Sequence, residues 1–287
     1  MAPCKHLSAA LLLTAVPACL AWGPLGHSTV AYVAQHYVST GTAGFVQGIL
    51  GTAPDYMANV SSWPDEYRRT PEGDWSTQLH WIDAFDAPPE SCEVEFKRDC
   101  PPEGCIVSAI VNNTQILLDS GSTEAQLLDA IRFLIHFSGD IHQPLHTEAL
   151  EEGGNGINIT WEGETANLHA IWDRQIPIKA SGGVSASEWA EELIGLIEDK
   201  TYNVKSWTKG MSLKDLKGTA MTWANDANDY VCTDVLPEGR EAVEAEGVDL
   251  SGAYFDAHGE VTKELIARAG YRLGKFLNLI VTGCLDG

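Results

Sequence analysis

The stretch that decides the fold is TEAQLLDAIRFLIHFSGDIHQPLH, residues 123–146. Its apolar residues recur at helical spacing and predict a buried core helix. They are Leu127, Leu128, Ile131, Leu134 and Ile135. Thr123 and Gln126 form a capping-box pattern where this helix would begin. The helix would therefore carry the polar run HFSGDIHQPLH at its C-terminal end.

Two His-x-x-x-Asp pairs give this region its chemistry. His136 and Asp140 are four residues apart, so they would lie one turn apart on one helix face and could reach one metal ion. His169 and Asp173, in NLHAIWD, repeat the spacing. His146 follows a proline, which breaks the helix and aims its side chain in a new direction. One pair alone is more often a cap or a salt bridge, but two pairs together predict metal binding.

Further candidate ligands lie upstream. They are His27, Asp65 in WPDEYR and His80 in LHWIDAFD. Imidazoles mixed with carboxylates, and without thiolates, favour a hydrolytic zinc site over a structural one. Five histidines and three aspartates are too many for one tetrahedral ion, so the sequence predicts a multinuclear cluster.

The rest of the chain predicts an all-α fold in one domain, because long strand-like alternation, linkers and repeats are scarce. Helical patterns occur at residues 261–281, 27–50, 106–119, 187–200 and 212–231. We expect long loops at residues 70–105, 147–165 and 232–252.

The N-terminal stretch MAPCKHLSAALLLTAVPACLA, residues 1–21, has the pattern of a secretory signal peptide. The alternative is a buried N-terminal helix, but the run lacks a polar face. Cleavage after residue 21 would leave residues 22–287 as one domain that begins at Trp22.

Five cysteines would remain after cleavage, which suggests two disulfides and one free thiol in an oxidising compartment. Cys100 and Cys105 could close a tight turn, and Cys92 would then pair with Cys232 or Cys284. Sequons at three asparagines fit the same compartment. They are Asn59, Asn112 and Asn158.

The formal net charge of −22 argues against nucleic-acid binding through a broad basic surface. Any phosphate would have to be bound by a local cation.

Five motifs in order, WGPLGH, WPDEYR, HWIDAFD, HFSGDIHQPLH and NLHAIWD, run through the chain from Trp22. With them the sequence closely resembles the secreted fungal zinc nucleases of the S1/P1 type, which share their fold with bacterial zinc-dependent phospholipase C. The resemblance implies a single compact multi-helix domain with a trinuclear zinc site in a cleft. It also implies the disulfides Cys92–Cys232 and Cys100–Cys105.

The resemblance further implies a ligand set for three Zn²⁺ ions. The first ion would be held by Asp65, His80, His136 and Asp140. The second would be held by His27, by Asp140 as a bridge, and by the α-amino nitrogen and carbonyl oxygen of Trp22. The third would be held by His146, His169 and Asp173.

The implied activity is hydrolysis of single-stranded RNA and DNA to 5′-phosphorylated products, with 3′-nucleotidase activity on 3′-mononucleotides. A hydroxide between the first two zinc ions, one of them held by Asp65, would attack phosphorus. Arg68 would contact the phosphoryl group, Trp81 would stack on a base and Asp83 would accept a hydrogen bond from it. Trp81 departs from the phenylalanine that the family pattern suggests. We expect a secreted, extracellular monomer without a membrane anchor.

Two alternatives differ in activity. A zinc-dependent phospholipase C would use the same metals on phospholipid head groups, but Asp173 and the Trp81/Asp83 pair argue against it. A secreted zinc-stabilised binding protein would have no turnover, but closed structural sites normally have four protein ligands, and the third site here has three.

Overall fold

The computed structural model describes residues 22–286, so the predicted signal peptide lies outside the described residues. Fourteen α-helical segments lie within the described range. They are α1 (Pro24–Tyr37), α2 (Thr40–Leu50), α3 (Trp63–Tyr67), α4 (Phe96–Asp99), α5 (Ile106–Leu118), α6 (Glu124–Asp140), α7 (Glu151–Gly154), α8 (Leu168–Ala170), α9 (Ile176–Ala180), α10 (Ala186–Glu198), α11 (Val204–Trp207), α12 (Leu216–Tyr230), α13 (Arg240–Val243) and α14 (Ala253–Thr282). Short 3₁₀ segments span Ala58–Val60, Asp74–His80 and Pro144–Thr147, and π-helical turns span Ile171–Gln175 and Val231–Val235.

One hydrophobic core is formed by the long helices. The 30-residue α14 packs along α1, and α6 packs on α5. The helix α1 also packs on α10. Gly270 permits the close approach of α14 to α1, because a β-carbon there would lie 2.5 Å from the Val33 side chain. The predicted all-α, single-domain fold is confirmed.

The helix α6 begins with the predicted capping box. The Thr123 hydroxyl accepts the Gln126 backbone N–H, and the Gln126 side chain accepts the Thr123 backbone N–H at 2.9 Å. The helix ends at Asp140, after which the chain turns through Pro144–Thr147. Its C-terminal half is fully buried, so His136 and Asp140 lie inside the protein.

Several predicted boundaries differ from the structure, and the predicted loops at 70–105 and 232–252 contain the short helices α4 and α13. Residues 27–50 form two helices, because Val38 is extended and Ser39 caps α2 by accepting the Thr42 N–H. The predicted loop at 147–165 includes strand β1 (Asn158–Trp161), which pairs antiparallel with β2 (Glu164–Asn167). Glu162 and Gly163 join the strands with positive φ angles of 52° and 80°, as a tight hairpin turn requires.

The structure has disulfides Cys92–Cys232 and Cys100–Cys105, the pairing that the resemblance implies. The first joins positions 140 residues apart and ties the segment before α4 to the end of α12. Cys284 is free and exposed. Among the described residues, no helix has the length and apolarity needed to cross a membrane.

Candidate metal centre

A central group of four buried side chains brings α3, the 3₁₀ segment Asp74–His80 and α6 together. His80 Nδ1 lies 2.9 Å from Asp140 Oδ2 and 3.1 Å from His136 Nε2. His136 Nε2 lies 3.2 Å from the same carboxylate oxygen, as the one-turn spacing on α6 predicts. Asp65 Oδ1 lies 3.9 Å from both imidazole nitrogens. Two carboxylates and two ring nitrogens thus converge on one point.

The second group shares Asp140 with the first. Asp140 Oδ1 lies 3.1 Å from His27 Nε2, while Oδ2 faces the central group, so this carboxylate can bridge two ions. The His27 ring stacks on His136 with centroids 3.9 Å apart. Trp22 is fully buried, and its ring lies near His27 on the same side of Gly139. The start of the described chain therefore lies beside this group.

The third group contains His146, His169 and Asp173, and its ligand atoms lie within 4.8 Å of one another. His169 Nε2 is 3.2 Å from Asp173 Oδ2, and His146 Nε2 is 3.9 Å from Oδ1. Gln143 Nε2 donates to Asp173 Oδ1 at 2.6 Å. The Gln143 carbonyl accepts the Leu145 N–H, also at 2.6 Å, so both ends of this amide are fixed.

Backbone carbonyls orient three of these imidazoles. The Nδ1 atoms of His136, His146 and His169 lie 2.6, 2.8 and 2.6 Å from the carbonyl oxygens of Ser61, His80 and Gly153. A carbonyl only accepts, so Nδ1 carries the hydrogen and, in the neutral ring, Nε2 presents a lone pair.

These Nε2 atoms face carboxylate oxygens in a buried site. Lone pairs that face one another away from water are costly unless a cation lies between them. Histidine ligands of metals commonly donate their other N–H to a carbonyl in this way. The residues present therefore fit a metal centre, and three buried His/Asp groups could each hold an ion.

The same burial sets the protonation of the imidazoles. Burial lowers the pKa of His27 and His146, and it lowers the pKa of His80 to about 4 despite Asp140. His136 is the exception: burial opposes its charge, but Asp140 and Asp65 raise its pKa. Burial likewise opposes the charge of Asp140, and the surrounding imidazoles hold its pKa well below the usual value. Most of these imidazoles are thus neutral and able to bind metal at neutral pH.

A cleft of about 610 Å³ opens beside the third group and is lined by Arg68, Trp81 and Asp83 together with His146 and His169. Arg68 Nη2 lies 3.0 Å from Asp65 Oδ1, so its guanidinium is next to the central group. Burial raises the pKa of Asp83, while a hydrogen bond from the Trp81 side chain opposes that rise. The structure thus brings the three predicted substrate contacts to one cleft.

Sequence reasoning missed several residues of this region. Gln143 holds Asp173, and nothing in the spacing distinguishes it from a surface amide. Phe85 and Arg69 line the cleft, and the alternation of WIDAF could have revealed Phe85. Glu148 also lines the cleft, and burial and Asp86 raise its pKa to about 8.

His142 does not join the metal groups. Its Nδ1 lies 2.8 Å from the Ser138 carbonyl, and its Nε2 faces Arg272 at 3.0 Å. Burial, together with the guanidinium, holds its pKa well below the usual value. The neutral ring therefore accepts a hydrogen bond from Arg272, which is a structural role.

The fold and the site define a class: an all-α protein with three adjoining His/Asp groups, two of them sharing one carboxylate, beside an aromatic cleft. Residues 22–282 match the family described as S1/P1 Nuclease, and the chain belongs to this family.

The chain is 49% identical to Nuclease S1 of Aspergillus oryzae over 267 residues, which cover 91% of this chain and 92% of that one. It is 46% identical to Nuclease P1 of Penicillium citrinum over 265 residues, 90% of this chain and 97% of that one. Endonuclease 3 of Arabidopsis thaliana is 32% identical over 287 residues, 96% of this chain and 94% of that one.

Proposed function

We propose that this protein is a zinc-dependent endonuclease that hydrolyses single-stranded RNA and DNA to 5′-phosphorylated products and removes phosphate from 3′-mononucleotides. The observation that carries the proposal is the position of three buried His/Asp groups beside a cleft with an arginine, an indole and a carboxyl group. Membership of the S1/P1 nuclease family and the nuclease names of its relatives support it.

Three zinc ions are part of the proposal. Asp65, His80, His136 and Asp140 would hold the first. The second would be bound by His27, Asp140 and the α-amino nitrogen and carbonyl oxygen of Trp22. His146, His169 and Asp173 would hold the third, with Gln143 orienting the carboxylate. When bound, the zinc ions supply Lewis acidity and activate water for attack at phosphorus.

The chain's own residues then bind and orient the substrate. Arg68 would donate to the phosphoryl oxygens and stabilise their charge, because its guanidinium lies beside the central group. Trp81 would stack on the base next to the cleaved bond, and Asp83 would accept a hydrogen bond from the base edge. The base would be held at one end of the cleft and the phosphate at the other.

A preference for single strands follows from charge and shape. The chain has 40 acidic and 18 basic residues, a balance that argues against binding of a stiff duplex through a broad basic surface. Three dications would outweigh the three ligand carboxylates and make a local positive site for phosphate. Stacking on Trp81 requires an unstacked base, which a duplex does not offer.

Secretion and maturation complete the proposal. Residues 1–21 would be a signal peptide, residues 22–287 the nuclease domain, and the protein an extracellular monomer. The family match begins at residue 22, which supports cleavage before Trp22. The sequon asparagines Asn59, Asn112 and Asn158 are all exposed, so glycosylation of each is sterically allowed.

The phospholipase C alternative is not favoured, since the relatives are named as nucleases. The non-catalytic alternative predicts nucleotide binding without turnover.

One assay distinguishes the nuclease from the phospholipase C and from the non-catalytic binding protein. Protein purified with its zinc is given 3′-AMP, single-stranded DNA, duplex DNA at the same ionic strength, and phosphatidylcholine. We expect rapid hydrolysis of 3′-AMP and single-stranded DNA, slow cleavage of duplex DNA and no hydrolysis of phosphatidylcholine. Equal rates on both forms of DNA would contradict the strand preference. Lipid hydrolysis alone would establish the phospholipase, and binding of 3′-AMP without hydrolysis would establish the binding protein.

A further inference from the structure

The rim of the cleft carries an aromatic ring and a cation that the proposed function leaves unused. Phe85 is 66% exposed, an unusual position for a phenylalanine, and it lines the cleft together with Trp81 and Asp83. Arg69 lines the same cleft and is also exposed. An exposed apolar ring at the rim of a cleft is a feature of binding sites.

The backbone explains why Phe85 faces the cleft. Trp81 has extended backbone angles and Ala84 forms a β-bridge with Glu148. Burial alternates along residues 81–85, as it does when successive side chains point to opposite sides. Ile82 and Ala84 are buried in the core, while Trp81, Asp83 and Phe85 line the cleft.

The extended segment is fixed to the protein on both sides. The Ile82 N–H donates to the His146 carbonyl at 2.9 Å, and the Phe85 N–H donates to Asp99 Oδ1 at 3.2 Å. At no more than about 3.3 Å per residue, the α-carbons of residues 81 and 85 are separated by at most about 13 Å. The two rings therefore offer separate stacking positions on one rigid segment.

Arg69 differs from its neighbour Arg68 in what it contacts. Arg68 is paired with Asp65, next to the central metal group. No carboxylate of residues 22–286 lies within ion-pairing distance of Arg69, although acidic residues far outnumber basic ones in this chain. An exposed guanidinium without an internal partner is available for a phosphate, which it can bind with two hydrogen bonds.

We infer that Phe85 and Arg69 form a second nucleotide subsite, which binds the nucleotide that follows the one on Trp81 and Asp83. The base of this neighbouring nucleotide would stack on Phe85, and a phosphate that does not react would bind Arg69. The inference rests on the proposed nuclease function. It assigns to this rim the recognition of a chain of nucleotides rather than of a mononucleotide.

Kinetics on two substrates test the subsite. Wild-type enzyme, Phe85→Ala and Arg69→Gln are compared on a single-stranded tetranucleotide and on 3′-AMP. Phe85→Ala should raise the KM for the tetranucleotide about ten-fold with little change in kcat, since loss of one stacked base weakens binding by about that factor. Arg69→Gln should make kcat/KM for the tetranucleotide less dependent on salt. The slope of log(kcat/KM) against the logarithm of the salt concentration should become shallower by about 0.7. Both variants should hydrolyse 3′-AMP at the wild-type rate.

Two control variants accompany these measurements. Phe85→Trp should retain the low KM, because the larger ring also stacks. Lys205→Gln removes one exposed charge outside the cleft and should leave the salt slope unchanged. Unchanged tetranucleotide kinetics in Phe85→Ala and Arg69→Gln would overturn the second subsite, as would equal losses on both substrates. A wild-type enzyme that hydrolyses neither substrate would instead refute the proposed function.

Discussion

Replacement of Gly139 by alanine tests how tightly the second metal group is built. Gly139 lies on α6 against His27, and a β-carbon there would lie 2.8 Å from His27 Nδ1 and 3.1 Å from Cε1. The imidazole cannot turn away freely, since it stacks on His136 and its Nε2 lies 3.1 Å from Asp140. The added methyl group must therefore displace a proposed zinc ligand.

The structure gives the size of this displacement. Ordinary contact begins at 3.4 Å, so His27 must move by about 0.6 Å (3.4 − 2.8). Metal sites hold their ligand distances to within about 0.2 Å, and the shift is about three times larger. Overpacking costs about 1–3 kcal/mol, and alanine in a helix regains about 1 kcal/mol. We expect metal-free G139A to be about 1 kcal/mol less stable than the wild type.

The assay combines zinc quantification with hydrolysis of 3′-AMP. We expect G139A to retain one zinc fewer per chain after dialysis and to lose activity by more than 10-fold, since a misplacement of 1 Å can cost about 100-fold. Gly44→Ala in α2 is the matched control, because an added β-carbon there meets nothing within 4 Å. Full zinc content and a wild-type rate in G139A would refute the reasoning.

Three further predictions concern the same centre. One extra residue before Trp22 should remove one zinc per chain and most of the activity. Zinc is measured by elemental analysis of protein whose N-terminus has been sequenced, and full zinc content would exclude the α-amino ligand. Gln143→Ala should lower the affinity of the third group for zinc about 10–100-fold in a chelator competition, because the Gln143 amide fixes the Asp173 carboxylate. An unchanged affinity would show that the carboxylate is held in place without Gln143. Metal-free protein should lose stability as the pH falls below 6.5, since His80 stays neutral when folded and takes a proton when unfolded. With a folded pKa of about 4, this group alone contributes about 2 kcal/mol of destabilisation at pH 5, measurable by denaturant unfolding at pH 7 and 5.

The helices that sequence periodicity predicts best are those with one face in the core. Residues 106–119 and 187–200 match α5 and α10 to within two residues at each end. Sequence periodicity does not predict the break between α1 and α2. The Ser39 N–H donates to the Asn278 side chain on α14, and this contact is made only in the folded chain. Likewise α14 begins at Ala253, eight residues before the apolar pattern becomes regular at residue 261.

The candidate site could be predicted only in part from spacing. The His-x-x-x-Asp pairs place two ligands on one helical face, and this reasoning holds for His136 and Asp140 on α6 and for His169 and Asp173 across a π-helical turn. That Asp140 faces two groups at once depends on how α6 packs against α1, which no local pattern contains. The carbonyl partners of the imidazoles are set by tertiary structure as well.

The end of α6 links the fold to the site. Asp140 closes the helix and faces two groups, His146 belongs to the third, and Gln143 between them holds its carboxylate. The other candidate ligands come from residues 22–27, 65–80 and 169–173, segments that are far apart in the chain. If the groups bind zinc as proposed, the ions cross-link these segments at one point. Their binding energy is then folding energy as well. The acidic, buried centre is costly without metal, and the long apolar core of α6 and α14 offsets that cost.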